Sequence, residues 1–437
     1  MNSTIYKDDN KIDQIKNIFK YSNLVFLQGG PGTGKTTLII KLILELLQID
    51  NFLNIGLSAP TGKATARLKE ALNDKKNISF SKFLDQIEFQ TLHRWILNSQ
   101  NKSLKLKFKL KELDIFIIDE MSMVNIDLIE SVLNLLAKDC KIILVGDKNQ
   151  LSPVNNCSIW NYLFEYSDNS SIKSCVVNLE KTYRNIGDIA LISSLIFNND
   201  FSLLNQKIKE LEKDNNSKEI TISKSREKDI PKDLLFSITS HLKQLNISTS
   251  NLSKKKYIFD ESIDNLLLNE KDLVDKIFLD LQSHLILCEK NSGIWSVEYL
   301  NEIVFGQKKP YDLKTLKEGV PIMCTKNNNE LGLSNGDIGV LIGLKNKRKY
   351  LFRKFNDNNE EIVALIDPSN LENVVPAIAI TIHKSQGSES EKVNILWSQN
   401  YRRNQYAVKE KKDNQNIFCR DNFERRLFYT AVTRAKK

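Results

Sequence analysis

The chain has no CxxC pair, and no apolar run in it is long enough to cross a bilayer. Its six cysteines, Cys140, Cys157, Cys175, Cys288, Cys324 and Cys419, are scattered along 437 residues. That spacing speaks against a zinc or iron–sulfur centre and fits reduced thiols in a cytoplasm. The most apolar stretch, Leu38–Leu47, is broken by Lys41 and Glu45 and is far shorter than the roughly 20 residues a spanning helix needs. The N-terminus, MNSTIYKDDNK, is polar and lacks the apolar core of a signal peptide. No membrane association is expected, and the expected location is cytoplasmic. Internal repeats and coiled-coil heptads are also missing. What remains is the composition of a globular protein, 41% hydrophobic and 27% charged, with length for two or three domains. The formal net charge of +9 leans toward a polyanionic partner, although Lys- and Asn-rich composition alone would give the same sign.

The first third alternates apolar strands with helical stretches. Strands are expected at Leu24–Gln28, Asn54–Ala59, Ile115–Asp119 and Lys141–Val145, with a long helix beginning near Lys35. This rhythm predicts a parallel sheet with crossover helices, an α/β fold. The helix over Thr36–Gln48 is apolar almost all round, so it should be buried. From about Asn205 to Lys276 the chain turns to Lys, Asn, Ser and Glu with little periodicity, which reads as a helical insertion with loose loops. A strand returns at Leu285–Cys288. Over Glu318–Asp367, short apolar runs (Val320–Cys324, Ile338–Ile342, Tyr350–Phe352, Ile362–Ile366) are separated by turn residues, which suggests a small antiparallel β-barrel inserted into a second α/β domain. The stretch Ala377–Glu389 alternates Ile378, Ile380 and Ile382 as a buried strand does. It then runs into His383, Lys384, Ser385, Gln386, Gly387 and Ser388, where an open α/β sheet usually meets a ligand.

Gly29-Gly30-Pro31-Gly32-Thr33-Gly34-Lys35-Thr36 matches the phosphate-loop pattern between a strand and a helix. Its glycines let backbone N–H groups form an anion nest at a helix N-terminus. Lys35 is expected on the β- and γ-phosphates of ATP, and the Thr36 hydroxyl on Mg²⁺. Ile117-Ile118-Asp119-Glu120 ends an apolar strand in two carboxylates: Asp119 reads as a Mg²⁺ ligand, Glu120 as the base for an attacking water. Gln150, after the strand ending Leu144-Val145-Gly146, is positioned to sense the γ-phosphate. Arg184 and Arg434 are candidate arginine fingers from a second domain.

Taken in order, these segments resemble the RecD-type superfamily 1 DNA helicases. The likeness is carried by GGPGTGKTT (Gly29–Thr37), APTGKATARL (Ala59–Leu68), TLHR (Thr91–Arg94), IIDEMSMV (Ile117–Val124) and GDKNQLSPV (Gly146–Val154). It continues through KTYR (Lys181–Arg184), LGLSNGDIGVL (Leu331–Leu341), TIHKSQGSE (Thr381–Glu389) and LFYTAVTRAK (Leu427–Lys436). It covers nearly the whole chain except about Asn205–Lys276. The resemblance implies two RecA-like P-loop motor domains with an SH3-like β-barrel inserted in the second. The implied boundaries are 1–172 for the first motor domain and 173–312 for the first part of the second, with its helical insertion at about 205–276. The barrel then occupies 313–370 and the rest of the second motor domain 371–437. The implied function is an ATP-dependent 5′→3′ DNA helicase, the alpha subunit of an exodeoxyribonuclease V assembled with RecB-like and RecC-like subunits, in double-strand break repair by homologous recombination. Nuclease activity would belong to those partners.

DNA-facing positions carried over by the resemblance are Pro60, Thr61, Lys63, Thr91, His93, Thr381, His383, Ser385 and Glu389. Short hydroxyl, amine and imidazole groups of this kind suit phosphate and sugar contacts to single-stranded or duplex-end DNA. The loop glycines, Pro31, Thr33 and Thr37 are implied in nucleotide binding. Tyr183 is implied in stacking on the adenine, and Gln14 lies where an adenine-reading glutamine can sit. Asn98–Lys111 alternates Lys with Leu or Phe, and reads equally as a duplex-splitting β-hairpin pin or as an amphipathic surface strand. Because the chain begins about 28 residues before the phosphate loop and stops three residues after Arg434, the N-terminal docking domain of the family and the last strand of the second domain are expected to be missing. Two other readings are a free-standing helicase of this type and a motor-dead, nucleotide-gated DNA-binding subunit.

Overall fold

Apolar strand residues and helix-facing stripes sort the chain into two units, Met1–Asn185 and Ile186–Lys437. The computed structural model describes residues 2–73, 83, 85–100, 108–152, 159–165, 170–180, 187–213, 219–226, 229–255, 270–328, 330–343, 347–355, 361–397 and 416–436.

The first unit runs α1 (Asn2–Ile18), β1 (Leu24–Gly29), α2 (Lys35–Ile49), β2 (Ile55–Ala59), α3 (Gly62–Asn73), β3 (Ile87–Thr91) and α4 (Leu92–Gln100). It continues with β4 (Ile115–Ile118), α5 (Ile126–Leu133), β5 (Lys141–Gly146), α6 (Ile159–Glu165), α7 (Ser170–Lys173) and β6 (Val176–Leu179). The strands form one parallel sheet in the order β3-β2-β4-β5-β1-β6. The central strands β1, β4 and β5 are mainly aliphatic runs, as a sheet covered on both faces requires, while edge strand β3 alternates apolar Ile87 and Phe89 with Glu88 and Gln90. In α2, Leu38, Ile39, Ile40, Leu42, Ile43 and Leu47 are buried, each worth roughly 1.5–3 kcal/mol against exposure. The register Leu24↔Ile142 through Gln28↔Gly146 brings the carboxyl ends of β1 and β5 level. The ends of Asn98–Lys111 are not strands: Asn98 lies in α4 and Leu110–Glu112 is a 3₁₀ turn, while 101–107 fall outside the described residues. The pin expectation is therefore corrected at both ends, because Asn98 is buried in the helix, where its amide donates to Gln90 at 2.6 Å.

The second unit opens with α8 (Asp188–Phe197), α9 (Phe201–Lys213), α10 (Lys232–Ser253) and α11 (Lys271–Ser283), then β7 (His284–Cys288) and α12 (Val297–Phe305). A five-stranded antiparallel sheet follows, β8 (Pro321–Cys324), β9 (Ile338–Ile342), β10 (Lys349–Phe355), β11 (Glu361–Ile366) and β12 (Val374–Pro376), in the order β11-β10-β9-β8-β12. Next come β13 (Ile380–Thr381), β14 (Lys392–Leu396) and α13 (Asn416–Val432), with β13 and β14 flanking β7 in a small parallel sheet.

Helix α10 is more firmly held than a Lys- and Asn-rich insertion suggests. Its buried face mixes Leu234, Ile238, Leu245 and Leu252 with Ser237, Ser248 and Thr249. The Ser250 and Ser253 hydroxyls donate to the Glu318 carboxylate, which is 5% exposed and also accepts the Gly343 N–H at 2.8 Å. The expected strand around Ile378–Ile382 is also shorter than its pattern. Only Ile380 and Thr381 pair with β7, and the chain then tightens into a 3₁₀ turn at His383–Ser385. Near the other end of the chain, Ser390 and Ala435 form an isolated parallel bridge. Cys140, Cys175, Cys288 and Cys324 are buried and unpaired. Among the described residues, no helix is long and apolar enough to cross a membrane.

Candidate nucleotide site

The phosphate loop leaves β1 at Gly29, where a side chain has no room: a Cβ there would stand 2.5 Å from Thr33 Oγ1 and 3.0 Å from Leu179 Cβ. Gly32 and Gly34 take positive φ of 72° and 83°, a conformation that costs other residues energy. The Thr33 hydroxyl donates to the Gly30 carbonyl at 2.8 Å and closes the turn. Gly34 precedes α2 without any side-chain cap, so the first N–H groups of a 15-residue helix face the loop unspent. Lys35 Nζ folds back and donates to the carbonyls of Gly29 at 2.7 Å and Gly30 at 2.9 Å. Thr36 and Thr37 follow in the first turn of α2.

Asp119 and Glu120 leave the end of β4. The Asp119 N–H donates to the Ser58 carbonyl at 2.9 Å, and its Oδ1 accepts the Glu120 N–H at 2.8 Å. Glu120 sits at φ 55°, ψ 42°, the left-handed region, ahead of the 3₁₀ turn Met121–Met123. A non-glycine residue held there stores of order 1 kcal/mol or more, a strain that clusters at functional sites. Burial and the neighbouring Glu120 charge push the Asp119 carboxyl up to about 6, against the pull of Lys35 and the Glu120 N–H. The site thus carries negative charge that a cation would relieve. Gln150 is 3% exposed. Its Nε2 donates to Asp147 Oδ2 at 3.4 Å, while its Oε1 has no partner.

The first unit therefore brings together Gly29–Thr36, Asp119, Glu120 and Gln150 at one sheet edge. Gln14 is exposed on α1. Tyr183 and Arg184 lie outside the described residues. Pro60 follows β2, and Thr61 Oγ1 accepts the Ala64 N–H at 3.2 Å, capping α3, whose first turn holds Lys63. Thr91 Oγ1 accepts the Arg94 N–H at 3.4 Å at the start of α4, and His93 is exposed beside it. Both threonines act as helix caps while their hydroxyl protons remain available as donors.

In the second unit Thr381 ends β13, and the His383 ring stacks on Phe423 with centroids 5.9 Å apart. Glu389 is half-buried. Ser385 is a correction: it is 0% exposed and its hydroxyl donates to the Ile382 carbonyl at 2.7 Å, so it holds the turn and does not face a ligand. Arg434, expected to reach a phosphate, is 3% exposed. Its Nε donates to the Thr430 carbonyl at 3.1 Å and its Nη1 to the Ser388 carbonyl at 3.3 Å. The motif alone gave no signal of that commitment.

A family model described as an AAA domain matches residues 14–156, which include every first-unit residue of the phosphate site. The RecBCD enzyme subunit RecD of Buchnera aphidicola subsp. Schizaphis graminum is 31% identical over 461 residues, covering 95% of this chain and 69% of that protein. The chain belongs to the RecD family. A second RecD, from Buchnera aphidicola subsp. Acyrthosiphon pisum, is 30% identical over 95% of this chain and 69% of its own length. The chain thus spans about two-thirds of the length of these RecD proteins. The ATP-dependent RecD2 DNA helicase of Deinococcus radiodurans is 34% identical over 132 residues, 30% of this chain and 16% of that protein. Among solved structures, the Bacteroides Pif1 helicase in complex with ADP-AlF3 and single-stranded DNA aligns over 98% of this chain and 90% of its own, at TM-score 0.49 and 18% identity. The RecD likeness runs through both units, so it takes in the Thr381–Glu389 turn as well as the phosphate loop.

Proposed function

We propose that this RecD-family chain is an ATP-driven DNA helicase that moves 5′→3′ as the RecD-type subunit of a RecBCD-type exonuclease V, in double-strand break repair by homologous recombination. The observation that carries the reading is the uncapped start of α2, with Lys35 folded over the Gly29–Gly34 loop at the sheet edge where Asp119 and Glu120 emerge. The residues fit Mg²⁺ and ATP: the Gly29 cradle excludes a side chain, Gln150 Oε1 is unpartnered, and Asp119 lies under excess negative charge. When bound, Mg·ATP supplies the terminal phosphate to be cleaved and the cation that neutralises it.

In this reading the loop N–H groups and Lys35 bind phosphate oxygens, and Thr36 with Asp119 would hold the cation. Glu120, aimed by its left-handed backbone, accepts a proton from water as a general base. Gln150 orients toward the terminal phosphate and Arg184 serves as an arginine finger, while Arg434, bonded to the Thr430 and Ser388 carbonyls, ties its helix end to the Thr381–Glu389 segment. Pro60, Thr61, Lys63, Thr91, His93, Thr381, His383 and Glu389 hold the DNA backbone without reading sequence. We read the first unit, Met1–Asn185, as the first motor domain, since β6 completes its sheet beyond the expected boundary at 172. We read the five-stranded antiparallel sheet as an SH3-like insertion in the second, and RecB-like and RecC-like proteins as partners.

The test is ATPase activity with and without single-stranded DNA. Lys35→Gln should lower DNA-stimulated hydrolysis by on the order of 10²-fold or more while leaving DNA binding in place, and unchanged hydrolysis would sink the assignment. Duplexes with a 5′ or a 3′ tail decide polarity. A free-standing motor of this type is the second reading. Co-elution with two larger proteins supports the subunit reading, and a lone active motor supports the other.

A further inference from the structure

One polar side chain at the sheet edge has no part in the site just described. Gln28 is the penultimate residue of β1, immediately before the phosphate loop, in a strand whose Val25, Phe26 and Leu27 are buried apolar core. It is 7% exposed and its Oε1 has no hydrogen-bond partner. Gln28 is in register with Gly146, so the two share a face of the sheet. That face is covered by Trp160, whose ring would lie 2.8 Å from a Cβ on Gly146 and is 5.9 Å from the Phe26 ring.

One residue beyond Gly146 begins the Asp147–Gln150 turn, closed by Gln150 N–H donating to the Asp147 carbonyl at 3.2 Å. Two further buried groups there are unspent, Asn149 Nδ2 and Gln150 Oε1, as is the Nε1 of the covering Trp160. Two acceptors, Gln28 Oε1 and Gln150 Oε1, and two donors, Asn149 Nδ2 and Trp160 Nε1, are thus buried at or beside neighbouring strand ends without partners. Buried amides are almost always satisfied, and leucine would fill the Gln28 position at no such cost.

We propose that Gln28 is a positioning residue for Gln150. With a terminal phosphate in the site, its carboxamide bonds to the Asn149 and Gln150 side chains and holds the Gln150 amide toward the phosphate. With a diphosphate, the bonds stay open. The proposal rests on the ATP reading above and deepens it.

The test is thermal stabilisation of the full chain by Mg·ADP, and the added stabilisation when beryllium fluoride supplies a γ-phosphate mimic. Gln28→Leu should keep the ADP shift and lose most of the added shift. Its DNA-stimulated kcat should fall about ten-fold, with KM for ATP within about two-fold. Gln28→Met, of equal length, repeats the test should leucine misfit. Gln150→Ala should lose the same added shift, and the double variant should match it, since residues acting as one unit are not additive. If Gln28→Leu retains the added shift and kcat, or if the two losses add, Gln28 does not act through Gln150. If the wild type does not respond to ADP at all, the ATP reading fails and this inference fails with it.

Discussion

Glu120 shows how a single backbone angle can serve a site. Its φ of 55° sends the chain from β4 straight into a 3₁₀ turn, leaving Glu120 beside the Asp119 carboxylate. Glu120→Gln keeps that backbone and removes only the proton acceptor. It should cut DNA-stimulated hydrolysis by roughly 10²–10⁴-fold while nucleotide still stabilises the protein, as paired ATPase and thermal-shift measurements would register. Two facing histidines, His241 and His284, contribute to the acid response of the second unit, both held below the ordinary imidazole range chiefly by burial. Burial, and then the facing His284 charge, hold His241 down to about 4 from its ordinary 6.5, with Asp280 opposing and Lys392 reinforcing. The folded imidazole binds fewer protons than the unfolded one across that interval. Stability present above about 6.5 is therefore lost as pH falls toward 4, by at most roughly 3 kcal/mol. The midpoint of denaturant unfolding should drop over that range, and His241→Gln should flatten the dependence.

At the scale of elements, the seam between α10 and the antiparallel sheet deserves the closest test. Gly319 sits at φ 86°, and a Cβ there would lie 2.5 Å from the Asn246 N of α10. The next-door Glu318 carbonyl accepts the Asn246 amide at 2.8 Å. Gly319→Ala must either strain the backbone or push the helix away. It should cost on the order of 2 kcal/mol or more, read from equilibrium unfolding. This seam was hidden in the sequence because serines and threonines take positions that a helical pattern assigns to aliphatics. By contrast β1, β4, β5 and β9 were legible, since their aliphatic runs end at glycine or charge. The phosphate loop was legible for a related reason: its glycines meet steric limits that no other residue satisfies. Ile378–Ile382 misled, because burial without strand pairing leaves the same apolar alternation. Ser385 misled too, since only the folded turn decides whether a hydroxyl faces inward.

For the whole molecule, the net charge of +9 matters through its partner. If the chain grips DNA by phosphates, log affinity for single strands should fall against log salt with a slope of roughly −0.7 per phosphate neutralised. Binding titrations at several salt concentrations measure that slope, and a salt-insensitive complex would exclude a phosphate grip. Membership of the RecD family directs the search for partners, while the two units explain why motifs so far apart in sequence fall into two local groups. The Ser390–Ala435 bridge ties two distant points of the chain together, with the Ser390 N–H donating to the Arg434 carbonyl at 3.0 Å and the Lys436 N–H to the Ser390 carbonyl at 2.9 Å. Between these points run β14, paired with β7, and the helix Asn416–Val432, so the rung adds to a connection already made through the small parallel sheet. The rung therefore fixes the Arg434 backbone against the residue that follows the Thr381–Glu389 turn, so a change at Ser390 is felt at both motifs at once.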